Sequence, residues 1–433
     1  MRQNTISAIF AVMLTAVLAS SCSSQPGPAG PEIAPVEGAR TPGDRSPLDY
    51  ILTDVEVFDL GIAEDFFQRD GRSLSQFPHI DSCHMQGAVI ADGFLVISCI
   101  LFNDHERTSR TYVGKSFVLR AWLCDIIGCP GAREPRWQVE DITEAIPPEH
   151  SLRISKNLFG TDELSGDQRA ITHLMTHPSG LLHGPEPGTF WVGNAVYDRD
   201  TYSRITLLSA ADIGTGEALS RARRTIDVPR GHTSAIAVIK QRYMISPLWG
   251  SRTFLVLDMQ GDGQQLTIPN PWVDTADHVQ LQDCTEWQNT YMICNGNWEY
   301  VVDPANPDVP LHGEQATALG LEAVRVRHGR IQVLQFDVSD FPRNVSVELI
   351  GYIQGVLPGR EKPGINFGDR KYQYDEDGQK KTLIYNDYRG FVTPTTITHE
   401  AMAVDPEREY LYFVPADIPG GKLIRMRLGL PGA

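Results

Sequence analysis

Five histidines in this chain stand at the head of short segments that resemble one another, and their spacing is its strongest chemical pattern. The segments are HMQGAVIADGFLVISC from His84, HPSGLLHGPEPGTFWVG from His177, HTSAIAVIKQRYMIS from His232, HVQLQDCTEWQNTYMIC from His278 and HEAMAVDPEREYLYFV from His399. A sixth, LEAVRVRHGRIQVLQ, begins with Leu321 instead. Imidazoles that converge can hold Zn²⁺, Fe or another divalent ion. One that titrates near neutral pH can also serve as an acid or base, and Glu400 would add a carboxylate beside His399. The alternative is structural: a residue repeated at a repeated position often does a repeated job, such as bonding a backbone group of the next unit.

Other candidates are weaker. His173, His177 and His183 lie close together, but Pro178 and the strand pattern around it spoil a helical HxxxH pair. The stretch GDRKYQYDEDGQKK, with Asp369, Asp375, Glu376 and Asp377, is as oxygen-rich as a calcium loop. It lacks EF-hand spacing, and a hairpin turn between a Tyr-rich and a Leu-Ile strand accounts for it more simply. Trp191, Trp249, Trp287 and Trp298 recur in or beside strands, where packing between units is a commoner use than a sugar platform. The chain contains no P-loop, GxSxG elbow, HExxH or GxGxxG.

The elements that must position these residues follow from the same segments. Each runs from the leading residue through two variable positions, an alternating apolar strand, a polar turn and an apolar-aromatic strand. A third strand follows: KSFVLRAWLCD, YSRITLLSAADI, SRTFLVLDM, EYVVDP, VSVELIGYI or GKLIRMRL. Period-2 alternation rich in Val, Ile, Leu and Tyr, broken by D-G, Q-N and P-E-R-E turns, is strand chemistry. Repeated antiparallel units of three or four strands, none able to bury both faces alone, predict the blades of a β-propeller. Their starts are 93, 55, 46, 43 and 78 residues apart. The two long intervals imply inserts near residues 126–176 and 354–398, or a degenerate extra blade. The expected fold is therefore all-β, a β-propeller over residues 48–433 with six blades, or alternatively seven. DYILTDVEVFDLG at residues 49–61 reads as an N-terminal strand that closes the ring, leaving no open sheet edge.

This pattern resembles six-bladed propellers of the NHL-repeat and virginiamycin-B-lyase-like type, whose blades also often open with His-x-x-Gly or His-x-x-Ala. The resemblance covers most of residues 80–430. It implies a fold and assigns no catalytic residue. The opening strand of each propeller blade lines the central channel, so His84, His177, His232, His278 and His399, with Leu321, would ring one mouth of it. A divalent metal in that ring is the only cofactor the sequence suggests.

The N-terminus speaks to compartment. Arg2 is followed by an apolar stretch from Ile6 to Leu18 and then Ala19-Ser20-Ser21-Cys22. About a dozen apolar residues are too few to span a bilayer, which takes ~20, but suit a secretory signal. The site resembles the lipobox of bacterial lipoproteins, with residues 1–21 as signal peptide and Cys22 as the lipidated residue. Leu18 stands one position further from Cys22 than that family prefers, and Ala19-x-Ser21 would also serve an ordinary signal peptidase. Secretion and a retained anchor helix are the alternatives. Residues 23–47, SSQPGPAGPEIAPVEGARTPGDRSP, are too poor in apolar side chains to offset their ordering entropy and read as a tether after Cys22.

Six further cysteines, Cys83, Cys99, Cys124, Cys129, Cys284 and Cys294, make an even set in an exported chain. A turn at Gln288–Asn289 would bring Cys284 opposite Cys294, and one at Asp92–Gly93 would nearly do so for Cys83 and Cys99. Cys124 and Cys129 would close a short loop. A metal site is the rival, but no CxxC pair exists. The net charge is −16, from 38 basic and 54 acidic residues, and becomes −17 once the signal removes Arg2. That balance disfavours nucleic acid, whose phosphates need clustered Lys and Arg. The sequence therefore points to a lipoprotein of the bacterial cell envelope, on the periplasmic face or the outer-membrane surface. Its propeller would bind a protein, glycan or small-molecule ligand. The alternative is a metal-dependent lyase or hydrolase built on the histidine ring.

Overall fold

A computed structural model describes residues 45–62, 80–103, 115–147, 150, 176–196, 202–229, 232–249, 253–260, 263–271, 279–303, 306–311, 324–355, 367–376, 379–386, 399–405, 407, 409–415 and 422–430. The signal segment, Cys22 and most of the tether lie outside these residues. Five sheets, antiparallel except for the short β1–β20 pair, account for the strands. The first holds β2 (Ile80–Ala91), β3 (Phe94–Asn103), β4 (Lys115–Trp122) and β5 (Gln138–Asp141). The second holds β6 (Thr176–His183), β7 (Thr189–Val196), β8 (Ser203–Ser209) and β9 (Arg224–Val228). The third opens with two short strands, β10 (His232–Thr233) and β11 (Ala237–Ile239). It continues with β12 (Tyr243–Trp249), β13 (Thr253–Asp258) and β14 (Gln265–Pro269).

The fourth sheet is larger, with β15 (Val279–Trp287), β16 (Tyr291–Asp303), β17 (Asn306–Leu311), β18 (Val324–Asp340) and β19 (Asn344–Tyr352). After the short β20 (Gln354–Gly355), a hairpin of β21 (Phe367–Glu376) and β22 (Gln379–Asn386) adds to it. The fifth runs β23 (His399–Val404), β24 (Tyr410–Pro415), β25 (Lys422–Gly429) and then β1 (Ile51–Asp59), with β20 at its margin. The last blade thus takes an outer strand from the N-terminal end of the domain, paired from Ile51↔Gly429 to Asp59↔Lys422.

The propeller has five blades, which corrects the expectation of six or seven. Five apolar clusters make the point independently, because each is shared by two successive sheets and the last joins sheet five to sheet one. Leu60, Leu95, Leu119, Met85, Tyr412 and Leu423 belong to that closing cluster. Trp191 of the second sheet packs with Met244 and Leu255 of the third. Trp287 of the fourth packs with Met402 and Phe413 of the fifth. Both tryptophans are essentially fully buried, so they serve inter-blade packing; the side chains of Trp249 and Trp298 lie outside the described residues. Each such buried apolar side chain contributes about 1.5–3 kcal/mol.

The surplus blade came from misreading the fourth sheet. Residues at Leu321 were expected to open a blade, but Leu321 itself lies outside the described residues and Val324–Asp340 form one continuous strand. Its first half pairs with β16 and β21, its second with β16 and β19. Gly329 runs straight through the ladder opposite Asn297. EYVVDP is likewise no separate third strand, being the far end of β16. The supposed calcium stretch is the β21–β22 hairpin, with Asp375 opposite Lys380 and Glu376 opposite Gln379; Asp377 lies outside the described residues.

Hairpin chemistry sets the register at one face. The turns at Asp92–Gly93, Lys240–Gln241 and Gln288–Asn289 all have positive φ at both named positions, the conformation that matches the twist of tight hairpins. The Gln288–Asn289 turn sets Cys284 opposite Cys294, and the two are disulfide-bonded. Cys124 and Cys129 also bond, closing the loop after helix α1 (Leu123–Ile127). Cys99 is disulfide-bonded too, while the side chain of Cys83 lies outside the described residues.

Candidate functional site

Each sheet's opening strand is its innermost, so β2, β6, β10–β11, β15 and β23 face the axis. They all begin at one face, the entry face, and turn back at the opposite turn face. Every one of them is interrupted partway. The register slips between Met85 and Gly87, Pro178 and Leu181, Leu281 and Asp283, and His399 and Ala401, and the third blade's strand is split outright. A bulge frees a backbone group from the ladder and redirects it. Here the freed groups point at the axis.

What receives them is Asp283. Its Oδ2 accepts the backbone N–H of Ala88 at 3.1 Å and of Met402 at 2.9 Å, and its Oδ1 accepts that of Cys284 at 2.9 Å. The backbone of Leu181 donates as well. Blades one, two, four and five thus converge on one carboxylate that is wholly buried. The third blade closes on the same point through its backbone: Gly180 N–H donates to the Ser234 carbonyl at 3.1 Å. Burial pushes the Asp283 carboxyl well above the usual carboxylate range, against the opposing pull of its N–H donors.

The crowding explains the glycine three residues after His84 and after His177. A Cβ on Gly87 would lie 2.7 Å from the Gly180 Cα and the Leu181 nitrogen, and one on Gly180 would collide with Asp283 Oδ1 and lie 2.9 Å from the Ala235 Cα. Real Cβ atoms do not approach so closely, so the axis demands glycine at both positions. Nearer the turn face, His183 on β6 hydrogen-bonds the backbone of Val404 on β23, and burial lowers its pKa despite that bond. The axis is filled with side chain and backbone at these levels.

The predicted histidines occupy one level of this arrangement. His84, His177, His232 and His399 lie near the entry-face ends of their strands, opposite Ile100, Ala195, Trp249 and Pro415 respectively. His278 directly precedes β15 and lies outside the described residues, as do His173 and the side chains of His84, His232, His399 and Glu400. His177 is half-buried. Leu321 does not belong to the set, because the strand that follows it is not an innermost one. Among the described residues no group of His, Cys, Asp and Glu would hold a metal ion. Asp283 was missed by sequence reasoning; the available signal was an acidic residue inside an apolar inner strand, where charge is tolerated only with dedicated partners.

The connections divide unequally between the faces. Before residue 356, β20 pairs with the turn-face end of β1, whereas the stretches 142–175 and 304–323 follow β5 and β16, both of which run to the entry face. Blade four also outgrows the ring there, since β16 continues five residues past Trp298, the partner of the first residue of β15.

Fold and axis together define a closed five-bladed β-propeller with a structural carboxylate at its centre. No protein-family model and no curated protein sequence matches the chain. Among solved structures it is similar to a streptogramin B lyase, at 9% identity and a TM-score of 0.35, over 87% of this chain and 98% of that one. It is similar to virginiamycin B lyase from Staphylococcus aureus at 8% identity and a TM-score of 0.33, over 87% and 99%. The β-propeller domain of the Trilobed protease from Pyrococcus furiosus matches at 8% and 0.30, over 81% and 94%.

Proposed function

We propose that this chain is an exported, lipid-anchored binding protein that engages its ligand or partner on the entry face and passes nothing along its axis. The observation that carries this reading is the axial carboxylate: an axis occupied by Asp283 and the backbone of five inner strands has a structural task. The entry face, with its long connections and the overhang of blade four, is then the variable surface that a rigid scaffold positions for recognition. Two intact disulfides support an oxidising compartment. No helix among the described residues is long and apolar enough to cross a membrane. In-cell photocrosslinking from a probe at Pro271, on the entry face, is expected to trap one discrete species. A probe at Arg343, on the turn face, should not trap it. Crosslinks from neither position, or the same species from both, would overturn the reading.

A metal-dependent lyase or hydrolase is the second reading, favoured by the shared level of four histidines at the entry ends of the inner strands. It requires a stoichiometric transition metal in the tether-free domain, residues 45–433, purified without an affinity tag. That metal must disappear in a His232→Ala, His278→Ala double variant that still folds.

A further inference from the structure

The N-terminal segment is pinned to the turn face. The Arg45 carbonyl accepts the Trp287 Nε1–H at 3.1 Å and the Gln288 Nε2–H at 2.9 Å. Ser46 and Asp49 form a capping box around a single 3₁₀ turn with Pro47 buried beneath it, and Tyr50 meets Trp287 edge-on at 5.5 Å. The described chain therefore begins, at Arg45, on the rim of the turn face, with 22 residues between it and Cys22 in the sequence.

The exposed large apolar side chains among the described residues are Leu48 and Trp122, and both belong to this end. Leu48 sits in the pinned turn. Trp122 ends β4 beside the Asp92–Gly93 turn, 50% exposed, one ring face stacked on Phe94 at a centroid distance of 3.9 Å. The α1 loop that follows is closed by the Cys124–Cys129 disulfide, so the indole is presented from a braced position. Tryptophan favours the headgroup level of a bilayer, where its apolar body and polar N–H are both accommodated.

We propose that the turn face docks on the lipid surface through Trp122 and Leu48, turning the entry face away from the membrane. This rests on the lipid-anchored reading given above. The connections α1–β5 and β8–β9 on this face carry exposed charges of both signs, Arg133, Glu134, Glu217 and Arg221 among them. The attraction is therefore apolar and needs no anionic lipid.

The test uses full-length lipidated protein in phosphatidylethanolamine vesicles, with a single added cysteine at Arg343→Cys on the turn face or Pro271→Cys on the entry face. Labelling by a bulky maleimide-polyethylene glycol tracks the undocked fraction, and at position 343 it should fall on the order of tenfold relative to the soluble Cys22→Ser form. At position 271 it should not change. A Trp122→Ala, Leu48→Ala variant should stay on the vesicles and regain fast labelling at 343. Vesicle-bound protein with equal labelling at both positions would overturn the docking alone. Wild-type protein recovered away from the vesicles would overturn the lipid anchor and the docking with it.

Discussion

At the scale of single residues, replacing Asp283 removes an acceptor that four backbone groups share. Asparagine keeps the volume but offers one oxygen, and its amide hydrogens would face either the N–H groups of Ala88 and Met402 or that of Cys284. Each buried donor left without a partner costs about 1–3 kcal/mol, so Asp283→Asn is expected to lose about 2–5 kcal/mol in denaturant unfolding. The pH dependence has a definite sign. The folded state binds the Asp283 proton more tightly than the unfolded chain, whose carboxyl titrates near ~3.9. Its stabilising contribution is full below that value and declines as pH rises through the higher folded value. The Tm gap between wild type and Asp283→Asn should therefore narrow from acid toward neutral pH. A gap that widens toward neutral pH would show instead that the carboxyl is ionised in the folded protein at acid pH.

At the scale of elements, the inter-blade contacts reuse the same device. Glu140, buried on blade one's outer strand β5, accepts the N–H groups of Gly214 and Gly216 at 2.9 Å and of Ala218 at 3.1 Å. Two of those donors come from glycines with positive φ, which curl the β8–β9 connection into a cup of N–H groups. The cup is filled by a carboxylate of the neighbouring blade, so this loop latches blade two onto blade one. Glu140→Gln leaves at least one donor without an oxygen, a loss of about 1–3 kcal/mol. Amide hydrogen exchange at Gly214, Gly216 and Ala218 should accelerate, while that of β6 and β7 stays slow. Uniform acceleration across blade two would show that the latch has no local role.

At the scale of the whole molecule, the ring closes where the chain's two ends meet. Removing β1 by starting the chain at Leu60 would strip the partner from β25 along its length and part of the closing packing. It would leave a long unpaired strand of the kind that recruits other chains. Such a protein is expected to sediment as oligomers at concentrations where residues 45–433 remain monomeric. A monomeric, folded truncation would mean that the inner four-fifths of the ring holds without closure. A strand at the N-terminus was legible in residues 49–61, as were the all-β class, the hairpin turns at Asp92 and Gln288, and the Cys124–Cys129 and Cys284–Cys294 disulfides. All of these depend on neighbours a few residues away, or on alternation along one strand.

Blade number was not legible, because VRVRHGRIQVLQ alternates equally well as the opening of a blade or as a strand twice the usual length. Only the pairing of both its halves with β16 distinguishes them, and pairing is a property of the folded sheet. The absence of a leading histidine at Leu321 was the one local hint. The same limit applies at the axis. The sequence by itself determined that five segments share a leading histidine and, in two of them, a glycine three residues on. Tertiary structure decided that the glycines are there because five backbones crowd one line, and that Asp283 is what they crowd around. Its donors are 195, 119 and 1 residues away, so no window of sequence contains the site that the ring assembles.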